Sequence, residues 1–512
     1  MNNLRVLSII TLAPFLGAVV IMFWGRDRAK LVHWTAALVT SVSLFFSIYI
    51  WLEYDQVAKG FQFLESCELV PSLGISYSLG VDGISMPLVL LTSLVIFCGV
   101  FASWTIKERF HEFYALLLVL VTGVFGVFVS LDLFVLFLFY EIAVLPMYLL
   151  IGIWGSSKKI PPKGPFSRMI QSLNLGRKEY AAMKLTLYLL FGSAFILVGI
   201  LALYFKAPHP SFSLLELEKI GFPIGFQHLF FLAMYVGFGI LAGIWPFHTW
   251  SPDGHASAPT AVSMLHAGVL MKLGAYGVVR VGMSLLPEGA QYWAYLMGTI
   301  AVVNIVYGAL SAMAQTDLKY VIAYSSVSHM GIVMLGAATL TETGMNGAVF
   351  QMVAHGIMTG LFFALVGLVY EKSHTREIGE MGGFGSRMPG VAVAFTIGGL
   401  SSLGLPGLSG FVAEFMAFVG TWKGIALWWL FPAVLGTFLT AVYVLRVVKK
   451  IFFGPLDQKQ YPELPDAVGP EWVTLVVLGF CLVFFGIFPF TLLDPIDVSV
   501  IDLMGKLGGA LQ

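Results

Sequence analysis

Run after run of about twenty residues in this chain lacks charge, and this feature constrains the fold more than any motif. A bilayer core takes about 20 apolar residues per helix. Apolar runs between charged or Pro/Gly breaks predict about fourteen spans, at 4–23, 31–52, 84–105, 113–130, 133–155, 181–205, 229–250, 260–281, 291–313, 320–338, 346–370, 390–420, 427–453 and 472–493. A buried soluble core is excluded by charge: 11% of the 512 residues are charged and 58% are hydrophobic, too few polar groups to cover a water-facing surface. The expected fold class is therefore an all-α polytopic membrane protein, with the lipid bilayer as its solvent. The balance of 28 basic and 28 acidic residues gives bulk electrostatics no nucleic-acid partner to attract.

Leu4 to Phe23 is long enough to span and is followed by Arg26, Arg28 and Lys30, so it is read as a retained helix rather than a cleaved signal. Cys67, Cys98 and Cys481 are far apart, with no C-x-x-C and no finger spacing, so no metal or haem attachment is expected. No phosphate-binding glycine loop is present either. The longest polar connection, 156–180, is basic, contains Pro161-Pro162, and reads as a solvated loop that fixes topology. Taking the first connection as odd, the odd connections hold 19 Lys and Arg and the opposite side holds 7, Arg280 among them. Positive residues stay in the cytoplasm, so both termini are expected on the outer side of a cell inner membrane.

Spans 4–8 can be laid over spans 9–13, and the odd offset makes the two units inverted. The expected organisation is 1–112 (three N-terminal spans), 113–281 (first five-helix repeat), 291–453 (second, inverted repeat) and 454–512 (span 14 and tail). Inverted repeats with paired Gly/Pro interruptions mark transport sites. Span 7 carries Gly243-Ile244-Trp245-Pro246-Phe247-His248, and span 12 carries Ser401-Ser402-Leu403-Gly404-Leu405-Pro406-Gly407-Leu408-Ser409-Gly410. Proline removes a helix hydrogen bond, so each stretch is a kink or a true break. Their matching places favour broken, cavity-lining helices.

Ionisable residues inside spans are costly and need a reason. Glu141 lies in span 5, Lys272 is central in span 8, His329 in span 10 and His355 in span 11, and Glu414 follows the break in span 12. Acid, lysine and histidine at similar depth are what proton relay requires, since burial favours the neutral form of each and brings it within reach of a proton exchange. The plainer readings are interhelix hydrogen bonds for the histidines and structural ion pairs for the acids. Lys184, near the end of span 6, reads first as a lysine snorkelling to the interface; with His248 and His266 it forms a candidate auxiliary path.

The stretch Trp245-Pro246-Phe247-His248-Thr249-Trp250-Ser251-Pro252-Asp253-Gly254-His255-Ala256-Ser257-Ala258-Pro259-Thr260 resembles the P-x-H-x-W-x-P-D-x-H-x-x-A-P-T signature of the antiporter-like subunits of respiratory complex I. The run Gln315 to His329, the segment Phe350-Gln351-Met352-Val353-Ala354-His355-Gly356 and Leu405-Pro406-Gly407 continue the likeness over nearly the whole chain. Glu414, where L and N types carry lysine, and the short tail after span 14 point to the M-type branch. The resemblance implies fourteen helices, two inverted five-helix units, N-like and L-like neighbours, and proton translocation driven by electron transfer from NADH to quinone. FMN, iron–sulfur clusters and NADH would sit on partner subunits, with no cofactor on this chain. By position it assigns Glu141, Lys272 and Glu414 to the proton path, with His329 and His355 linking. A cation/proton antiporter subunit, a membrane-bound hydrogenase subunit and a structural spacer remain as alternatives. The family lysine of span 7 is replaced by Leu241. Glu141 is therefore expected to be mostly protonated at rest, with Lys272 or His248 taking part of the coupling.

Overall fold

The computed structural model describes residues 5–24, 28–158 and 175–508. Leu4 at the head of span 1, Arg26, and Lys159, Pro161, Pro162, Lys163 and Arg168 of the long basic connection lie outside the described residues.

The helices are α1 (Val6–Trp24), α2 (Ala29–Glu53), α3 (Ser85–Ala102), α4 (Phe110–Val129), α5 (Leu133–Trp154), α6 (Lys178–Lys206), α7 (Ile224–Ala242) and α8 (Trp250–Ser257). A continuous helical span α9 (Thr260–Met283) follows, then α10 (Pro287–Ala314), α11 (Leu318–Ala338), α12 (Glu342–Ser373), α13 (Pro389–Ser402), α14 (Ser409–Lys423), α15 (Leu430–Phe452), α16 (Glu471–Ile487) and α17 (Phe490–Lys506). Twelve helical segments among the described residues are long and apolar enough to cross a membrane, α7 and α8 counting as one. The expected span 390–420 is two half-helices, α13 and α14, separated by 403–408. The expected span 14 is α16, and the chain then bends by 66° into α17.

The apolar middles of α9 and α12 are wholly enclosed and that of α11 nearly so, while α1, α2, α6 and α15 leave much of their surface outside. Long apolar side chains therefore point outward on the peripheral helices, as at Phe15, Leu38, Leu187 and Phe438. The enclosed helices instead pack through small residues, as membrane helices do when burial in lipid offers no preference for the interior. A Cβ on Gly356 of α12 would lie 2.6 Å from the carbonyl oxygen of Gly268 on α9, so the two backbones touch. Gly274 of α9 meets the backbone of Phe238 and Ala242 on α7 in the same way.

Two features of the connections and tail go beyond the expected spans. Residues between α2 and α3 form an antiparallel hairpin, β1 (Gln62–Val70) and β2 (Ile75–Val81), pairing Cys67 with Tyr77 and Glu65 with Leu79. Glu65 also accepts from the Leu7 backbone N–H at 2.7 Å and from the Ser8 hydroxyl at 2.5 Å. It thereby satisfies orphan donors at the start of α1. The second feature is α17, which ties several elements together at one end of the bundle. Thr491 O accepts from the Trp51 indole at 3.0 Å, Ser499 from Gly83 N at 2.8 Å, and Lys506 pairs with Glu218 at 2.9 Å. Gly83 has no room for a side chain: a Cβ would fall 1.7 Å from Pro495 O.

Candidate functional site

Each interrupted span stops by the same local chemistry. Gly243 (φ +73°) and Gly404 (φ +71°) take the left-handed conformation that ends α7 and closes the turn after α13. At the first break Gly243 N donates to Ile240 O at 3.1 Å and Ile244 N to Gly239 O at 3.0 Å; at the second, Gly404 N donates to Ser401 O at 3.2 Å and Leu405 N to Leu400 O at 3.0 Å. Both are Schellman motifs, which glycine supports without a Cβ penalty. Side chains reinforce the first break. The Trp250 indole donates to Ile240 O at 2.9 Å, and Trp245 N donates to Asn304 Oδ1 at 2.8 Å. Asn304 in turn donates to Val327 O at 2.9 Å, linking the break to α10 and α11. The proline-containing stretches are true breaks: Gly243, Ile244 and His248 are buried at the first and Leu408 at the second, while Trp245, Pro246, Leu405 and Pro406 are exposed on this chain.

Beside these breaks the enclosed helices carry one contiguous row of polar groups. The Gly268–Gly356 contact holds α9 against α12 about one turn from Lys272, and the Lys272 Nζ reaches His355 Nδ1 at 2.8 Å. Lys272 also donates to the carbonyl of Ala267 on its own helix, and both side chains are buried. With Lys272 as donor to His355 Nδ1, the imidazole proton sits on Nε2. The His355 and His329 ring centres are 5.3 Å apart. His329 Nδ1 faces Glu414 Oε1 at 3.2 Å, and its Nε2 lies 3.1 Å from the Ser402 hydroxyl. Gln351 Nε2 lies 3.3 Å from His329 Nδ1. Gly404 makes room for the acid, since a Cβ there would sit 3.0 Å from Glu414 Oε2. Thus α9, α12, α11 and the second half of the broken span contribute lysine, imidazole, imidazole and carboxylate in order. The two outer steps are direct polar contacts, and in the middle one the two imidazole rings lie side by side.

The other sequence-assigned residues sit apart from this row. Glu141 is partly buried on α5 and is hydrogen-bonded by Ser193. No described residue forms an ion pair with it, and Leu241 of α7 is fully buried. Lys184 does not simply snorkel: it pairs with Asp253 of α8 at 2.8 Å, and Tyr320 donates to the other Asp253 oxygen at 3.0 Å. A fixed carboxylate partner outcompetes the interface because the lysine stem is already anchored on α6. His248 is buried with its ring 4.9 Å from Tyr307, and neither nitrogen has a partner among the described residues. His266 stacks 5.1 Å from Trp250 and 4.0 Å from His255, again with unpartnered nitrogens.

Sequence reasoning missed Ser402, Gln351, Asn304 and His255 as neighbours of the site. Gln351 was legible, because it precedes His355 by one helical turn and so shares its face. It also misplaced Arg280, counted as a connection charge. Arg280 is buried on α9, donates to the buried Asp82 carboxylate, and lies 4.9 Å over the Phe61 ring.

Fold and site define a class: a polytopic, antiporter-like membrane subunit with paired broken helices around an enclosed polar row. The chain belongs to the family described as NADH:quinone oxidoreductase/Mrp antiporter, TM, which matches residues 166–440. It is 36% identical to NADH-quinone oxidoreductase subunit M of Rickettsia bellii over 99% of this chain and 100% of the relative. It is 41% identical to NAD(P)H-quinone oxidoreductase chain 4 3 of Picosynechococcus over 87% of this chain and 79% of the relative. Among solved structures, a chain of respiratory complex I from Thermus thermophilus superposes with a TM-score of 0.85, at 27% identity, covering 98% of this chain and 100% of that one. A chain of the Mrp complex from Dietzia shares the fold, with a TM-score of 0.83 at 19% identity over 98% of this chain and 97% of that one.

Proposed function

We propose that this chain is a proton-translocating membrane subunit of an NADH-quinone oxidoreductase, placed between N-like and L-like neighbours in a cell inner membrane. The single observation that carries the reading is the buried row Lys272–His355–His329–Glu414. Four titratable groups inside one apolar bundle are expensive, and a relay is the function that needs them adjacent. Electrons pass through partner subunits that hold FMN and iron–sulfur clusters, and the driving change reaches this chain through its neighbours. Residues 113–281 and 291–453 act as two inverted units that meet at the Lys272–His355 contact, with both termini on the outer side. Lys184, His248 and His266 line an auxiliary route in the first unit, and Glu141 is its acid.

The test is made on the assembled complex in sealed vesicles. Lys272→Ala and Glu414→Gln are expected to lower protons moved per electron while the subunits remain assembled. Unchanged stoichiometry in both variants would sink the reading. A spacer function draws on one observation, Glu141 without a cation, and the same measurement separates it. Membership in a redox complex rather than a cation antiporter is read from flavin and iron–sulfur proteins co-purifying with the chain.

A further inference from the structure

We propose that Gln351 is a positioning residue for the last step of the row: its amide claims Nδ1 of His329, holds that ring neutral with its proton on Nε2, and so leaves the delivered proton on Glu414. His329 Nδ1 has two neighbours that make opposite demands. Gln351 Nε2 lies 3.3 Å away and only donates, so Nδ1 has to accept. Glu414 Oε1 lies 3.2 Å away and, when ionised, only accepts, so Nδ1 has to donate. One nitrogen cannot do both. The other ring nitrogen meets the Ser402 hydroxyl at 3.1 Å, which serves equally as donor or acceptor and favours neither tautomer. All four side chains are buried, so bulk water does not replace a lost partner.

The inference rests on the relay reading above and deepens it. The amide faces Nδ1 with its nitrogen for a physical reason. Gln351 Oε1 has no hydrogen-bond partner among the described residues. Turned over, the amide would put two N–H groups where nothing described accepts them, and a buried orphan N–H is the rarer fault. While Gln351 donates to Nδ1, Glu414 faces a lone pair and is stable there as the neutral acid. Its Oε1 accordingly takes no hydrogen bond from a described residue. In the handover, a doubly protonated His329 ring meets the Glu414 carboxylate. The Nδ1–H bond breaks, the Oε1–H bond forms, and the two charges cancel. The lone pair left on Nδ1 is then taken by the Gln351 N–H, which stabilises the delivered state over the charged pair. Gln351 precedes His355 by one turn of α12, so one helix carries both the ring before His329 in the row and the group that resets His329.

The test uses the intact complex in lipid, with ring-labelled histidine, and reads infrared spectra at rest. The protonated Glu414 carbonyl stretch is assigned by its loss in Glu414→Gln, and the His329 ring band by its loss in His329→Asn. The unsubstituted complex is expected to show a protonated Glu414 and a neutral His329 with its proton on Nε2. Gln351→Met keeps the length of the side chain and removes the amide. It is expected to lower the Glu414 carbonyl stretch several-fold, to raise a charged-imidazole band at His329, and to lower protons moved per electron. A residue that only fills space would leave both bands in place, so unchanged bands in Gln351→Met overturn the proposal. Shifted bands with unchanged stoichiometry overturn the directing role. The bands are read without pumping, so the two readings fail separately: unchanged stoichiometry in Lys272→Ala and Glu414→Gln sinks the relay, and unchanged bands sink the role of Gln351. If Gln351→Met fails to assemble, the unsubstituted complex decides: an ionised Glu414 or a proton on His329 Nδ1 at rest overturns the proposal.

Discussion

Gly268 and Gly356 touch backbone to backbone: a Cβ on the first would lie 3.1 Å from the Gly356 carbonyl oxygen, and one on the second 2.6 Å from that of Gly268. This approach sets the 2.8 Å contact of Lys272 with His355. Gly356→Ala also drives a methyl into Leu91, 2.5 Å away. Overpacking of this kind costs about 1–3 kcal/mol. Gly360→Ala, whose Cβ meets nothing nearer than 3.5 Å, is expected to be close to neutral. Thermal denaturation of the assembled complex compares the two.

Asp82 and Arg280 form a buried pair between the start of α3 and α9. Removing one partner strands a charge, at a cost of about 3–5 kcal/mol. Asp82→Asn should therefore lower the melting temperature more than the double variant Asp82→Asn/Arg280→Met, whose members no longer oppose each other. Equal losses would show that the ion pair is not what the site depends on.

Asn304 answers the broken backbone of the first interrupted span through Trp245 N and Val327 O. Asn304→Leu leaves Trp245 N without its side-chain partner, at about 1–3 kcal/mol, while Val327 O keeps its place in the α11 ladder. Hydrogen exchange at 243–249 is expected to rise in this variant while the hairpin β1–β2 stays protected.

Leu241→Lys restores a cation to the last turn of α7. Glu141 is expected to change from a protonated to an ionised carboxyl, seen as loss of its carbonyl stretch in infrared difference spectra of the complex. An unaltered Glu141 signal would defeat the idea that its state is set by the missing lysine.

Asp132 sits between α4 and α5, caps α5 through Phe134 N and Val135 N, and accepts from Ser76 N of the hairpin at 2.9 Å. Burial lifts its carboxyl above the ordinary 3.8, and the hydrogen bonds from Ser76, Val135 and Phe134 offset this only in part. A raised acid in the folded state means that the folded chain holds the extra proton. Its contribution is complete below 3.8 and is lost as pH rises from there through the lifted value. Asp132→Asn keeps the cap and is expected to flatten this limb of a stability-against-pH curve.

The spans were legible because charge is absent at bilayer length, and the two breaks because glycine and proline interrupt apolar runs at matching places. The row Lys272, His355, His329 and Glu414 was legible because ionisable groups in lipid stand out. The hairpin was not: Ile75, Tyr77, Leu79 and Val81 alternate with small or polar residues, a period of two that a search for twenty-residue runs passes over. The bent helix α17 was missed because its polar positions, such as Asp497 and Lys506, are spent on partners distant in sequence. Arg280 looked like a loop residue because its counter-ion lies 198 positions away.

The Schellman turns have one more consequence. A helix that stops in mid-bilayer exposes carbonyls worth roughly half a negative charge at its end. Leu241 lies in the final turn of α7, beside that pole, and is fully buried. With an apolar side chain at this place, the pole is met among the described residues only by the closing turn and by the Trp250 indole on Ile240 O.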